Sequence, residues 1–122
     1  MTIVSGQAGG ITFRANQANS TFYYFRVGQD GSYDLWAFVD PFIDHAHQLT
    51  PHGSSQAIHT GIDQANIIAV VAKGSTLQFF VNQQLVTSVN DNTYTNGQIG
   101  VVAYDQGSPA QVVYSNAKVW TL

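Results

Sequence analysis

Cysteine is absent from the 122 residues. Neither disulfides nor thiol chemistry can therefore be invoked, and the redox compartment stays open. Lysine and arginine together number four, against seven aspartates and a net charge of −3. Phosphate binding needs a clustered basic footprint, so nucleic acid is excluded as a partner. No apolar stretch approaches the ~20 residues of a membrane-spanning helix, and no membrane span is expected. Glutamate is missing altogether, so every side-chain carboxylate belongs to an aspartate. The chain also lacks a helical period of useful length, an internal repeat and a linker. Met1 to Ala8 does not have the charged, then apolar, then small-residue layout of a signal peptide.

Extended, alternating segments are present instead. From Asn66 to Tyr104 the chain reads NIIAVVAKGSTLQFFVNQQLVTSVNDNTYTNGQIGVVAY. Apolar residues recur at every second position in Ile68, Val70, Ala72 and again in Leu77, Phe79, Val81, which gives each strand one buried face. Lys73-Gly74-Ser75 joins the first two runs. Asn82-Gln83 separates the second from Leu85–Val89. A two-residue hairpin loop wants positive φ at both positions, so either this loop is longer or Gln83 carries strain. Asn96-Gly97 is the stronger turn signal, with Gln98–Tyr104 as the strand that follows.

Upstream, the sequence predicts strands near Thr2–Ser5, over Ile11–Arg14 after a Gly9-Gly10 turn, over Phe22–Val27, and over Ser32–Val39 after Gln29-Asp30-Gly31. Asn16–Ser20 reads as a polar loop. Asp40–Gln64 is the longest irregular segment, with a short strand expected at Ala57-Ile58-His59. Asp105–Pro109 reads as a loop and Gln111–Trp120 as the closing strand. This is about eight strands in one domain, residues 1–122, large enough to bury roughly 65% of its unfolded surface without metal or disulfide.

The pattern Asn66, Val70, Ala72, Gly74, then Leu77, Val81, Asn82, then Gly97, Ile99, Gly100, Val101 resembles the C-terminal half of concanavalin A-like lectin/glucanase sandwiches. It is most similar to laminin-G-like modules and the 3-keto-disaccharide hydrolase-like domains of bacteria. Gly9–Arg14, Tyr23–Val27 and Asp30–Leu35 also fit that group. The resemblance implies an all-β, antiparallel jelly-roll sandwich. Members usually carry further strands before Met1, so it also implies that part of the N-terminal portion is missing. A missing strand exposes an edge, and exposed edges recruit other chains. Self-association through an edge strand or an open sheet face is therefore expected. Charged residues are only 9% of the chain, and polar character comes from Asn, Gln, Ser and Thr. That surface favours an extracellular or cell-surface location.

Alternation sorts three strands into two faces. Ile11, Phe13, Tyr23, Phe25, Val27, Tyr33, Leu35, Ala37 and Val39 go to the core. Arg14, Tyr24, Arg26, Asp34, Trp36 and Phe38 go outward, and they include both arginines of the chain. Aromatic rings flanked by fork-shaped donors and a carboxylate suit the apolar face and hydroxyl rim of a sugar. In the resembled folds, the concave sheet is the usual glycan surface. The other reading is that Trp36 and Phe38 are covered by the Asp40–Gln64 segment or by a second subunit, with the arginines merely pairing with Asp34.

His45, His47, His52 and His59 fall within fifteen residues beside Asp40 and Asp44. His-x-His on a strand can offer two metal ligands, but the spacing matches no metal motif, and a solvated loop is the expectation. No metal or other cofactor is expected. The Glu-x-Asp-x-x-Glu pattern of the glucanases cannot exist here, and Gly-x-Ser-x-Gly is absent. Asp34 and Asp40 share strand parity, yet nothing marks either as a general acid. Asp91 with Asn90 and Asn92 reads as a polar turn rather than a calcium site. The resulting expectation is a non-catalytic carbohydrate-binding or adhesion-type module of a bacterial protein. An enzyme domain acting on a (keto-)disaccharide and a structural or oligomerisation domain are the alternatives.

Overall fold

The computed structural model describes residues 1–104 and 109–119. Among these residues are eleven strands and one 3-10 turn at Ile43–His45. The strands are β1 (Thr2–Ser5), β2 (Ala8–Asn16), β3 (Thr21–Gly28), β4 (Ser32–Phe38), β5 (His47–Gln48), β6 (Gly53–Ser54), β7 (Ile68–Lys73), β8 (Thr76–Val81), β9 (Gln84–Asn90), β10 (Gln98–Tyr104) and β11 (Gln111–Val113). They form two packed antiparallel sheets with a short β1–β11 ribbon at one end.

The larger sheet has the order β10-β2-β3-β4, with β5 and β6 both paired to the outer edge of β4. The smaller sheet has the order β7-β8-β9. Its Leu77, Phe79 and Val81 interleave with Phe13, Tyr23, Phe25, Val27, Leu35 and Ala37 of the larger sheet to form the core. Phe25 and Phe79 mark the contact, with ring centroids 4.8 Å apart. At one margin Tyr33 donates its hydroxyl hydrogen to Val86 O at 3.0 Å, which places β9 over β4. At the other, β7 packs over β2. Among the described residues, no strand of the smaller sheet packs substantially against β10. Ile99 and Val101, on the same side of the sheet as Ile11, are therefore 56% and 55% exposed.

Several local expectations change. Gly9-Gly10 is not a turn but part of β2. A Cβ at Gly10 would sit 1.9 Å from Phe25 O, so glycine is there to let the backbone of β3 approach. Val39 lies beyond the end of β4 and is exposed. Ala57-Ile58-His59 is not a strand, although Ala57 and Ile58 are buried. That segment is instead pinned by two asparagines. Asn66 Oδ1 accepts from His59 N at 2.8 Å and its Nδ2 donates to His59 O at 3.0 Å. Asn82 Nδ2 donates to Ala57 O at 2.7 Å and to Asn66 Oδ1 at 2.9 Å. The closing strand is short, only Gln111–Val113. The far end of the expected strand, Trp120, and most of the expected Asp105–Pro109 loop lie outside the described residues.

Candidate functional site

The outer face of the larger sheet follows from register. β3 and β4 pair Phe22 with Phe38, Tyr24 with Trp36, and Arg26 with Asp34. These three pairs stack along the ribbon because positions two apart in a strand share a face. Gln48 of β5 extends the Tyr24–Trp36 row, and Thr12 of β2 lies on its other side. The Phe22 and Phe38 rings stack with centroids 4.5 Å apart and planes 15° from parallel. Both rings and Trp36 are partly exposed, so the Asp40–Gln64 segment does not bury them. It runs along the edge of β4, where Leu35 N donates to Thr50 Oγ1 at 3.0 Å and Leu49 N donates to Leu35 O at 2.8 Å.

Asp34 is the charged centre of this face and is only 1% exposed. A buried carboxylate must be paired, because its desolvation is otherwise uncompensated. Arg26 supplies a two-pronged contact. Its Nε donates to Asp34 Oδ1 at 3.0 Å and its Nη2 donates to Oδ2. His52 Nδ1 lies 3.2 Å from Asp34 Oδ2 and donates to it, since an ionised carboxylate only accepts. The guanidinium of Arg26 also rests over the Tyr104 ring, 5.5 Å from its centroid.

Tyr24 differs from an exposed platform ring. It is 6% exposed, and its hydroxyl is buried with no hydrogen-bond partner among the described residues. Burial raises its pKa well above the ordinary phenol value. Arg14 departs from alternation. It sits in a bulge where the registers with both β3 and β10 shift, and its φ is +49°. Its Nη1 donates to Tyr94 O at 3.0 Å, and Tyr94 packs edge-on against Tyr23 of the core face. The structure thus brings together Arg26, Asp34, Trp36 and Phe38, keeps Tyr24 in the same row but buried, and turns Arg14 away toward Tyr94.

The four histidines do not converge. His45 Nδ1 pairs with Asp40 Oδ2 at 2.6 Å, His52 goes to Asp34, and His59 Nδ1 donates to Ala65 O at 2.9 Å. His47 lies on β5 with its side chain exposed. Among the described residues no three His, Asp or Glu side chains gather closely enough to hold a metal ion. Asp91 closes its own turn, accepting from Tyr23 Oη and from Thr93 N.

The sandwich has a structural counterpart. The carbohydrate binding module CBM66 from Bacillus subtilis superposes on 82% of this chain with a TM-score of 0.68 and 18% sequence identity. This chain spans 60% of that module's length. The likeness is one of fold, an antiparallel lectin-like β-sandwich. No family model matches the chain, and neither does any curated protein.

The expected outward set omits two residues of this face, Phe22 and Tyr104. Phe22 has the parity of Tyr24 and could have been assigned outward on that signal. Tyr104 lies beside Arg26 only because β10 pairs with β2, and no local pattern encodes that distant pairing.

Proposed function

We propose that this chain is a non-catalytic carbohydrate-binding module that holds a glycan on the outer face of β3 and β4. The observation that carries the reading is the half-open aromatic row of Trp36, Phe38 and Phe22 beside a fixed ion pair, Arg26–Asp34. Apolar ring faces take the C–H side of a sugar, and directional polar groups take its hydroxyls. The fold it shares with a module whose name is carbohydrate binding supports the same reading. In this view the sandwich belongs to the concanavalin A-like jelly rolls, and the module works outside the cell. Binding rather than catalysis is favoured because both candidate carboxylates are engaged, Asp34 by Arg26 and His52, and Asp40 by His45. Binding of the isolated protein to a glycan array tests this, with Trp36→Ala as the control. The expected result is a signal reduced about tenfold or more by loss of one stacking ring, equivalent to ~1.4 kcal/mol or more. Equal binding by parent and variant would remove Trp36 from the site. Hydrolysis of a disaccharide by the isolated chain would favour an enzyme instead.

A second reading concerns partners. Ile99 and Val101 present an uncovered stretch of the core side of β10, and β7 carries no charge before Lys73 along its unpaired edge. We propose that a second copy of the chain covers this margin. A twofold axis lets one such apolar patch meet itself without needing a complementary partner.

A further inference from the structure

Beside the aromatic row, at the end of the ribbon where β3 turns into β4, the outer face sinks into a hollow of about 330 Å³. Its floor follows the row Tyr104–Ala8–Gly28 across β10, β2 and β3, where the small Ala8 leaves room and the side chains of Asp30 and Ser32 stand over Gly28. Tyr104 forms one wall. Asp30, Ser32 and His52 form the other, and Arg26 reaches in from the next row. The volume is near the lower limit for small-ligand sites, the size of a single ring rather than an extended chain.

We propose that this hollow seats one uncharged sugar residue of the bound glycan and discriminates against acidic sugars. The proposal rests on the carbohydrate-binding reading above and extends it to a subsite and a ligand class. Charge decides against an acid. One guanidinium, Arg26, faces two carboxylates, Asp34 and Asp30. Asp34 already holds Arg26 through two hydrogen bonds. Asp30 stands at the rim with no basic partner among the described salt bridges. Protonating His52, whose Nδ1 is committed to Asp34, brings the balance only to zero. A carboxylate or sulfate entering here meets Asp30 and Asp34 together, with Arg26 as the one guanidinium among them and its Nε and Nη2 already held by Asp34, and like charges at this range repel.

Free hydrogen-bonding capacity matches a polyol. Asp30 Oδ1 accepts from Ser32 N at 3.0 Å and from Ser32 Oγ, which fixes the carboxylate and leaves Oδ2 open to a hydroxyl. The hydrogen bond from the Ser32 side chain holds Asp30 below the ordinary carboxylate pKa, so it stays an acceptor in mildly acidic solution. Gln29 Nε2 is committed to Gly6 O at 2.9 Å, leaving Oε1 as a second acceptor. Gln7 at the rim and the Nη1 of Arg26 supply donors. Tyr104 gives the apolar wall.

Matched pairs of glycans test the assignment, each pair differing only in whether C6 is a hydroxymethyl or a carboxylate, such as glucosides against glucuronides and galactosides against galacturonides. They are titrated into the intact protein and into Tyr104→Ala, Asp30→Asn and Trp36→Ala, with thermal melts verifying folding. The neutral member is expected to bind and its acidic partner to bind about tenfold more weakly or worse, a charge-assisted contact being replaced by repulsion. Asp30→Asn, which keeps the shape, is expected to narrow that gap, and Tyr104→Ala to weaken neutral binding. Neutral binding lost in Trp36→Ala but unchanged in the other two variants overturns the hollow while leaving the carbohydrate-binding reading intact. Preference for the acidic member also overturns it. If no member of any pair binds, the broader reading falls and takes the subsite with it.

Discussion

Tyr24 combines a ring on the outer-face row with a hydroxyl that is buried and has no hydrogen-bond partner among the described residues. An unmet buried hydroxyl costs free energy that a phenyl ring in the same place does not. Tyr24→Phe is therefore expected to raise stability by roughly 1 kcal/mol, read as a higher urea midpoint at unchanged slope. A fall would mean that the hydroxyl has a partner. At the surface, the Asp40–His45 pair moves both groups. The hydrogen bond to Asp40 raises the His45 pKa, and the hydrogen bond to His45 lowers that of Asp40. The histidine part stabilises the fold fully below the ordinary histidine pKa and is lost as pH rises through the raised folded value. The aspartate part is present above the ordinary aspartate pKa and is lost as pH falls through the depressed one. The pair therefore acts most fully between about pH 4 and 6.5. An NMR titration is expected to find the His45 midpoint above the ordinary value and to find it lowered by Asp40→Asn.

At the scale of elements, the hairpin between β8 and β9 resolves the question its sequence posed. Asn82 and Gln83 both take positive φ, +51° and +68°, so the loop is the two-residue kind and Gln83 is the strained member. Gln83→Gly is expected to stabilise the protein by about 0.5–1 kcal/mol, the left-handed penalty minus the extra chain entropy of glycine. Thermal denaturation of the pair of proteins checks it. Most strands were legible because their alternation is local, as in Tyr23–Val27 and Leu77–Val81, where every second residue is wholly buried. Gly9-Gly10 misleads because a glycine needed for close approach looks in sequence like a glycine needed for a turn. Gly97 is partly the same case: its φ is +147°, and a Cβ there would sit 2.4 Å from Arg14 C. The bulge at Arg14 was illegible for another reason. It arises where β2 must match two neighbours at once, and one of them, β10, is more than eighty residues away in the chain. The site was half legible on the same grounds. The β3–β4 part follows from parity, whereas Tyr104 and the hollow depend on which strand lies next to which.

The whole molecule is uneven, four long strands facing three, and the overhang is β10. If a second copy covers it, light scattering at high concentration is expected to give twice the chain mass, and Val101→Glu is expected to return a single-chain mass with little change in melting temperature, since Val101 is outside the core. A single-chain mass for the parent at every concentration would remove the pairing. The opposite surface has a use that does not depend on knowing any ligand. The chain has two tryptophans, and Trp36 sits half in solvent in the middle of the aromatic row. With Trp120 replaced by Phe, the remaining indole emission would come from that row alone. Anything that docks there would alter its colour or intensity, so the protein carries its own fluorescent reporter for screening unlabelled compounds.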